Sequence, residues 1–150
     1  MKVQEFLKKG SIIVDLQGRS RADVLAELAT RIAEVDGVSR AEILRVLEER
    51  EKLGSTGIGD GVAIPHGSLA LLPKLVSLFA RSKQGVEFDA IDGKPTHLFF
   101  VLLTPDNNTG LKALARVSKL MRRPEFRASL IQLDELDALY DAIVAEDARL

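Results

Sequence analysis

Hydrophobic and polar positions along this chain change period several times, and each change marks an element. A short helix is expected at 2–8. "SIIVDLQG" (11–18) is a brief β-branched run ended by Gly18, the pattern of a strand. Over "SRADVLAELATRIAEVDG" the apolar residues Val24, Leu25, Leu28, Ile32 and Val35 fall at helical spacing, with Ser20 and Asp23 as a capping box and Gly37 as the stop. A second box, Ser39 with Glu42, opens "SRAEILRVLEEREKLG", which turns Ile43, Leu44 and Leu47 inward and ends just before Gly54.

Further on, "VAI" (62–64), "LVSLFARS" (75–82) and "HLFFVLLT" (97–104) carry strand patterns. The last is apolar at nearly every position, as a strand covered on both faces must be. "DGKP" (92–95) supplies the turn before it. From Thr109 the helical period returns through Leu111, Leu114, Val117, Leu120 and Met121 and stops near Pro124. "PEFRASLIQL" and "DELDALYDAIVAE" follow as two more amphipathic helices, the second with Asp134 and Asp137 as cap and third residue. This order predicts an α/β (α+β) fold, a mixed β-sheet of about five strands with helices on both faces.

With 46% hydrophobic and 29% charged residues over 150 positions, the composition is that of a folded globular protein, and 1–150 is expected to form one domain. The formal net charge of −1 gives no basic excess to draw the chain onto phosphate backbones, so nucleic acid is excluded as the main partner. The absence of cysteine removes disulfides, thiolate nucleophiles and zinc–thiolate sites. "MKVQEFLKKGS" lacks the basic-then-apolar order of a signal peptide, and no apolar run is long enough to span a bilayer. The expected location is cytoplasmic, without membrane insertion. No oligomeric state follows from the sequence.

The chemistry concentrates in "GSTGIGDGVAIPHG" (54–67), which holds five of the eleven glycines and one of the two histidines. Asp60-Gly61 suits a two-residue hairpin turn, because both positions tolerate the positive φ that such turns need. Counting outward pairs Gly59 with Val62, Ile58 with Ala63, Gly57 with Ile64, Thr56 with Pro65 and Ser55 with His66. Two hydroxyls thereby come to the imidazole, and a slip of one residue in this glycine-rich strand still leaves one of them beside it. Pro65 stiffens the approach to His66, and Gly67 is expected to keep the far side of the ring open. Arg50, in the last turn of the preceding helix, can turn its guanidinium toward the loop.

A histidine with Ser55, Thr56 and Arg50 around it, and without a thiol or paired carboxylates, suits phosphate better than metal. A phosphoryl group brings about −1.5 to −2 charge and three acceptor oxygens, which arginine and hydroxyl donors hold. Neutral imidazole is nucleophilic near neutral pH and accepts such a group covalently. Other readings are weaker. "GIGDG" lacks the lysine and following helix of a P-loop, and His66 with His97 has no third ligand for a metal. No metal and no cofactor is therefore called for, and His97 is expected to be structural.

"REKLGSTGIGDGVAIPHG" (50–67) closely resembles the active-site segment of phosphotransferase-system enzyme IIA of the fructose/mannitol class, and "STGIG" with "AIPHG" is most similar to its nitrogen-type branch. "DVLAELA", "FDAIDGKP", "LFFVLLTP" and "LKALARVSKLM" extend the resemblance over most of the chain. It implies that His66 is the phosphorylated histidine, Arg50 the site arginine, and Ser55 and Thr56 the hydroxyl pair. It further implies an HPr-like phosphocarrier as donor and regulated targets such as transporters or sensor kinases as partners. Two alternatives stand beside it: a regulatory binding module with vestigial phosphorylation, and a sugar-transport enzyme IIA that serves a permease component. One position departs from the family pattern. Gly110 stands where the family usually has a second histidine, and Thr109, Gly110 and Lys112 at a helix start are expected to offer backbone donors and charge to the phosphate instead.

Overall fold

In the computed structural model, which describes residues 1–150, both N-terminal capping signals close. Ser20 accepts the Asp23 N–H at the start of α1 (Arg21–Asp36), and Ser39 accepts the Glu42 N–H at the start of α2 (Arg40–Lys52). Each cap satisfies an amide that has no partner inside the first turn, about 1 kcal/mol apiece. Three more helices close the chain: α3 (Asn107–Leu120), α4 (Pro124–Gln132) and α5 (Leu136–Ala148).

The strands are β1 (Ile12–Ile13), β2 (Gly57–Gly59), β3 (Val62–Ala63), β4 (His66–Ser68), β5 (Val76–Val86) and β6 (Thr96–Thr104). They form one mixed sheet in the order β1-β5-β6-β3-β2, with β4 also paired to β6. Long antiparallel pairing joins β5 to β6, while β3 and β4 lie parallel to β6, end to end along its other edge. The break between them falls at Ile64-Pro65, where proline has no N–H to donate to a ladder.

Side-chain alternation along β6 divides the core in two. Phe99, Val101 and Leu103 face α1 and α2, while Leu98, Phe100 and Leu102 face α3, α4 and α5. Helices therefore cover both faces, as the hydrophobic pattern requires. No helix is long and apolar enough to cross a membrane.

Three local expectations are corrected. The N-terminal helix is only a 3-10 turn at Val3–Glu5, followed by another at Lys9–Ser11. The strand expected over 11–18 is paired only at Ile12–Ile13, because β1 is an edge strand with β5 as its single neighbour. At α5 the Asp134 cap does not form, and the helix begins after Glu135 without a side-chain cap. Asp134 is drawn instead to the buried Arg81 (3.2 Å) and to Lys83 (3.2 Å). Arg81 needs this counter-charge because its guanidinium is otherwise held in the core by the carbonyls of Val14, Ile131 and Leu133.

Candidate functional site

The glycine loop folds into a hairpin whose turn is at Asp60-Gly61, both at positive φ (58° and 77°). Its register differs from the simple count. Gly59 also takes positive φ (92°), Ile58 bulges out, and Gly57 pairs with Ala63 instead of Ile64. Thr56 consequently sits opposite Ile64, whose N–H donates to the Thr56 carbonyl at 3.0 Å. A strand of alternating glycines has no side-chain pattern to resist this one-residue slip.

His66 opens β4, opposite Leu102 of β6, and so projects from the sheet face that carries α3. Its half-buried ring lines an open cleft of about 310 Å³ together with Ser68, Thr104, Asn107, Gly110 and Leu111. Nδ1 lies 2.7 Å from the Ile64 carbonyl oxygen. A carbonyl only accepts, so Nδ1 carries a proton, and in the neutral ring Nε2 keeps its lone pair. No protein group is hydrogen-bonded to Nε2.

Gly67, one residue on, points to the opposite face. A Cβ there would come within 2.3 Å of Val46 Cγ1 on α2. The absence of a side chain thus lets α2 approach the sheet, and does not serve to clear space around the ring. Arg50 follows Val46 by four residues, on the same stripe of α2 and one turn nearer the loop. Its guanidinium donates to the Gly54 carbonyl at 2.8 Å, at the loop's beginning.

Neither hydroxyl expected beside the imidazole is bonded to it. Ser55 Oγ donates to the Phe88 carbonyl at 2.7 Å and accepts the Gly57 N–H at 3.0 Å. Thr56 is buried, and both its N–H and its hydroxyl go to the Glu51 carboxylate. The slipped register and the buried carboxyl account for this: the polar end of Glu51 inside the fold must be met by donors, and Thr56 supplies two. Arg21 adds a cation 3.9 Å from Glu51. The result is a continuous chain, from Glu51 to Thr56, through the Thr56 carbonyl to the Ile64 N–H, and through the Ile64 carbonyl to His66 Nδ1. Glu51 was not singled out by the sequence, where it belongs to a charged run; its burial inside an otherwise exposed helix end is the distinguishing feature.

At the start of α3 the expected backbone donors are already occupied. Asp106 caps the helix, taking the Thr109 N–H at 2.7 Å and the Thr109 hydroxyl at 3.0 Å, while the Gly110 N–H goes to the Asp106 carbonyl at 3.2 Å. The two Thr109 donors, the N–H first, hold the Asp106 carboxyl below its ordinary value, so a negative charge already sits on this helix end. Lys112 is exposed nearby. His97 is far along β6 from His66's partner Leu102, with Nδ1 2.9 Å from the Ser82 carbonyl. No group of three or more His, Asp or Glu side chains is gathered to hold a metal ion.

Two polar residues in the cleft escaped the sequence reading, Ser68 and Asn107. Ser68 is two places beyond His66 and therefore on the same strand face. Asn107 is three places before Gly110 and on the same helix face. Its place over β4 arises from packing between elements distant in sequence.

Residues 5–146 match the family described as "Phosphoenolpyruvate-dependent sugar phosphotransferase system, EIIA 2". A nitrogen regulatory protein of Bradyrhizobium diazoefficiens is 37% identical over 150 residues, covering 99% of this chain and 98% of the relative. A fructose-specific EIIABC component of Bacillus subtilis is 35% identical over 150 residues, covering 98% of this chain but only 24% of that protein. Among solved structures, nitrogen regulatory protein IIA-Ntr from Neisseria meningitidis superposes with a TM-score of 0.85 at 35% identity, covering 94% of this chain and 98% of the other. Escherichia coli IIA mannitol shares the fold at a TM-score of 0.79 and 17% identity, covering 91% and 98%.

Proposed function

Because this chain belongs to the phosphoenolpyruvate-dependent sugar phosphotransferase system EIIA 2 family, we propose that His66 is the residue on which it carries a phosphoryl group, and that it acts mainly as a regulator. The observation that supports this most directly is the ring itself: Nδ1 is committed to the Ile64 carbonyl, and Nε2 is unpaired at an open cleft. Regulation is favoured by the relatives named as nitrogen regulatory proteins, which match this chain over nearly its whole length.

The transfer needs positioning more than machinery. Nε2 attacks the phosphorus of a phosphohistidine on an HPr-like donor protein. The donor's P–N bond breaks, and its electron pair returns to the donor ring, which leaves as neutral imidazole because its other nitrogen is protonated. His66 keeps its Nδ1 proton and becomes a phosphoimidazolium, whose positive ring is stabilised by the Ile64 carbonyl. Each ring holds one ring proton before and after, and no base is required. Arg50, one turn from the contact of α2 with β4, is the cation for the incoming charge, and reaches it by exchanging the Gly54 carbonyl for a phosphoryl oxygen. Ser55 and Thr56 act by shaping the loop, and donate to the phosphate only if their present bonds exchange. Downstream partners such as transporters or sensor kinases would then sense a cleft that has gained negative charge.

Incubation with a phosphorylated HPr-like carrier tests this. Acid-labile phosphate should appear on the wild type and vanish in His66→Ala. Labelling that persists in His66→Ala, or never appears in the wild type, overturns it. Gly110 favours one second reading, a binding module whose phosphorylation is vestigial. Partner binding unchanged by phosphorylation would select that one.

A further inference from the structure

Gly110 contributes no side chain to the α3 wall of the cleft, and the structure has a packing reason for it. A Cβ at this position would lie 2.7 Å from Thr104 Cγ2, so the first turns of α3 sit directly against the end of β6. That approach brings Asn107, one turn earlier on the same helix face, over β4. Asn107, Gly110, Leu111 and Leu114 form the wall that looks across the cleft at His66 and Ser68.

Ser68 Oγ donates to Asn107 Oδ1 at 2.8 Å. This bond orients the amide: its oxygen is turned to the strand, and its nitrogen, with two N–H groups, is left without a protein acceptor. Ser68 follows His66 by two residues on the same strand face, so their Cα atoms are about 6.6 Å apart. An amide bonded to Ser68 thus lines the same cleft as the His66 ring. Four donors expected from the sequence are occupied: Thr109 and Gly110 by Asp106, Ser55 by Phe88, and Thr56 by Glu51.

We propose that Asn107 is a phosphate-binding residue of this site, its Nδ2 donating to an oxygen of the phosphoryl group on His66, with Ser68 as the positioning residue that aims the amide. The assignment rests on His66 being the phosphorylated residue. A donor that is neutral at every pH offers hydrogen bonds to the phosphoryl oxygens without adding a titrating group of its own.

The test compares phosphorylation by a phosphorylated HPr-like carrier in wild type, His66→Ala, Asn107→Ala, Asn107→Asp, Ser68→Ala and Ser68→Thr, with thermal unfolding of each. Asn107→Asp keeps an acceptor for Ser68 but replaces the N–H groups with negative charge. It should slow phosphorylation more than Asn107→Ala, which itself should slow it about tenfold, the scale of one hydrogen bond to a charged group. Ser68→Ala should slow transfer in the wild-type background and add nothing to Asn107→Ala, whereas Ser68→Thr should restore the rate. Wild-type rates and phosphate lifetimes in both folded Asn107 variants would overturn the assignment while leaving His66 standing. No phosphate on the wild type would instead remove the premise.

Discussion

The imidazole of His66 is hydrogen-bonded through Nδ1 to the carbonyl of Ile64, 2.7 Å away and two residues back along its own chain. Pro65, locked in φ between them, holds the two in this relation. The tautomer of the neutral ring is therefore determined by its immediate backbone.

The neutral ring of His66 is accordingly expected as the Nδ1–H tautomer, and the proposed phosphoryl group on Nε2. Long-range proton–nitrogen correlation spectra of the labelled protein distinguish the two nitrogens in both states. Phosphorus bonded to Nδ1 would mean that the Ile64 contact is broken during transfer.

Glu51 anchors the loop through Thr56. Glu51→Ala strands two buried donors and should cost about 1–3 kcal/mol in urea unfolding. Glu51→Gln keeps an acceptor oxygen and should recover much of that loss. Equal stability of all three proteins would show that the loop is held by other contacts.

Gly67→Ala places a methyl group 2.3 Å from Val46 Cγ1 and should destabilise the protein by about 1–3 kcal/mol through overpacking. Val46→Ala vacates that space. The double variant should consequently be more stable than the sum of the two single changes predicts, which a double-mutant cycle in denaturant measures.

Acid stability should depend on Glu146. Its hydrogen bonds from Arg123, at 2.7 and 2.9 Å, hold its carboxyl below the ordinary 4.5. In the window between the lowered folded value and the unfolded one, the unfolded chain binds more protons, so stability rises with pH there. The contribution is fully present above the unfolded value and disappears as pH falls through the folded one. Glu146→Gln should flatten that part of the pH profile of the urea midpoint, and an unchanged slope would place the acid sensitivity elsewhere.

Much of this molecule was legible before any coordinates. Ser20 and Ser39 announce α1 and α2 because a cap acts within four residues, and the apolar run at 97–104 announces β6 because burial on both faces leaves no room for polar positions. Asp60-Gly61 turns the chain as its φ preferences require. Where a residue's role depends on a remote neighbour, local pattern misled. Asp134 resembles a helix cap until Arg81 claims it, and Gly67 resembles clearance for a ring until Val46 is found against it. The strand β4 was not anticipated, since His-Gly-Ser has no strand pattern and pairs only because β6 offers a free edge.

Residue order alone determined the helices, the central strands, the sharp turn and the single histidine set behind a proline, since all of these follow from interactions spanning a few residues. Packing decided the rest. Ile58 bulged because glycine strands resist no slip, Thr56 turned inward to a buried carboxylate, and α3 closed on Thr104 tightly enough to bring Asn107 within reach of Ser68. Such placements depend on where separate elements meet in space, and short-range periodicity carries no record of that.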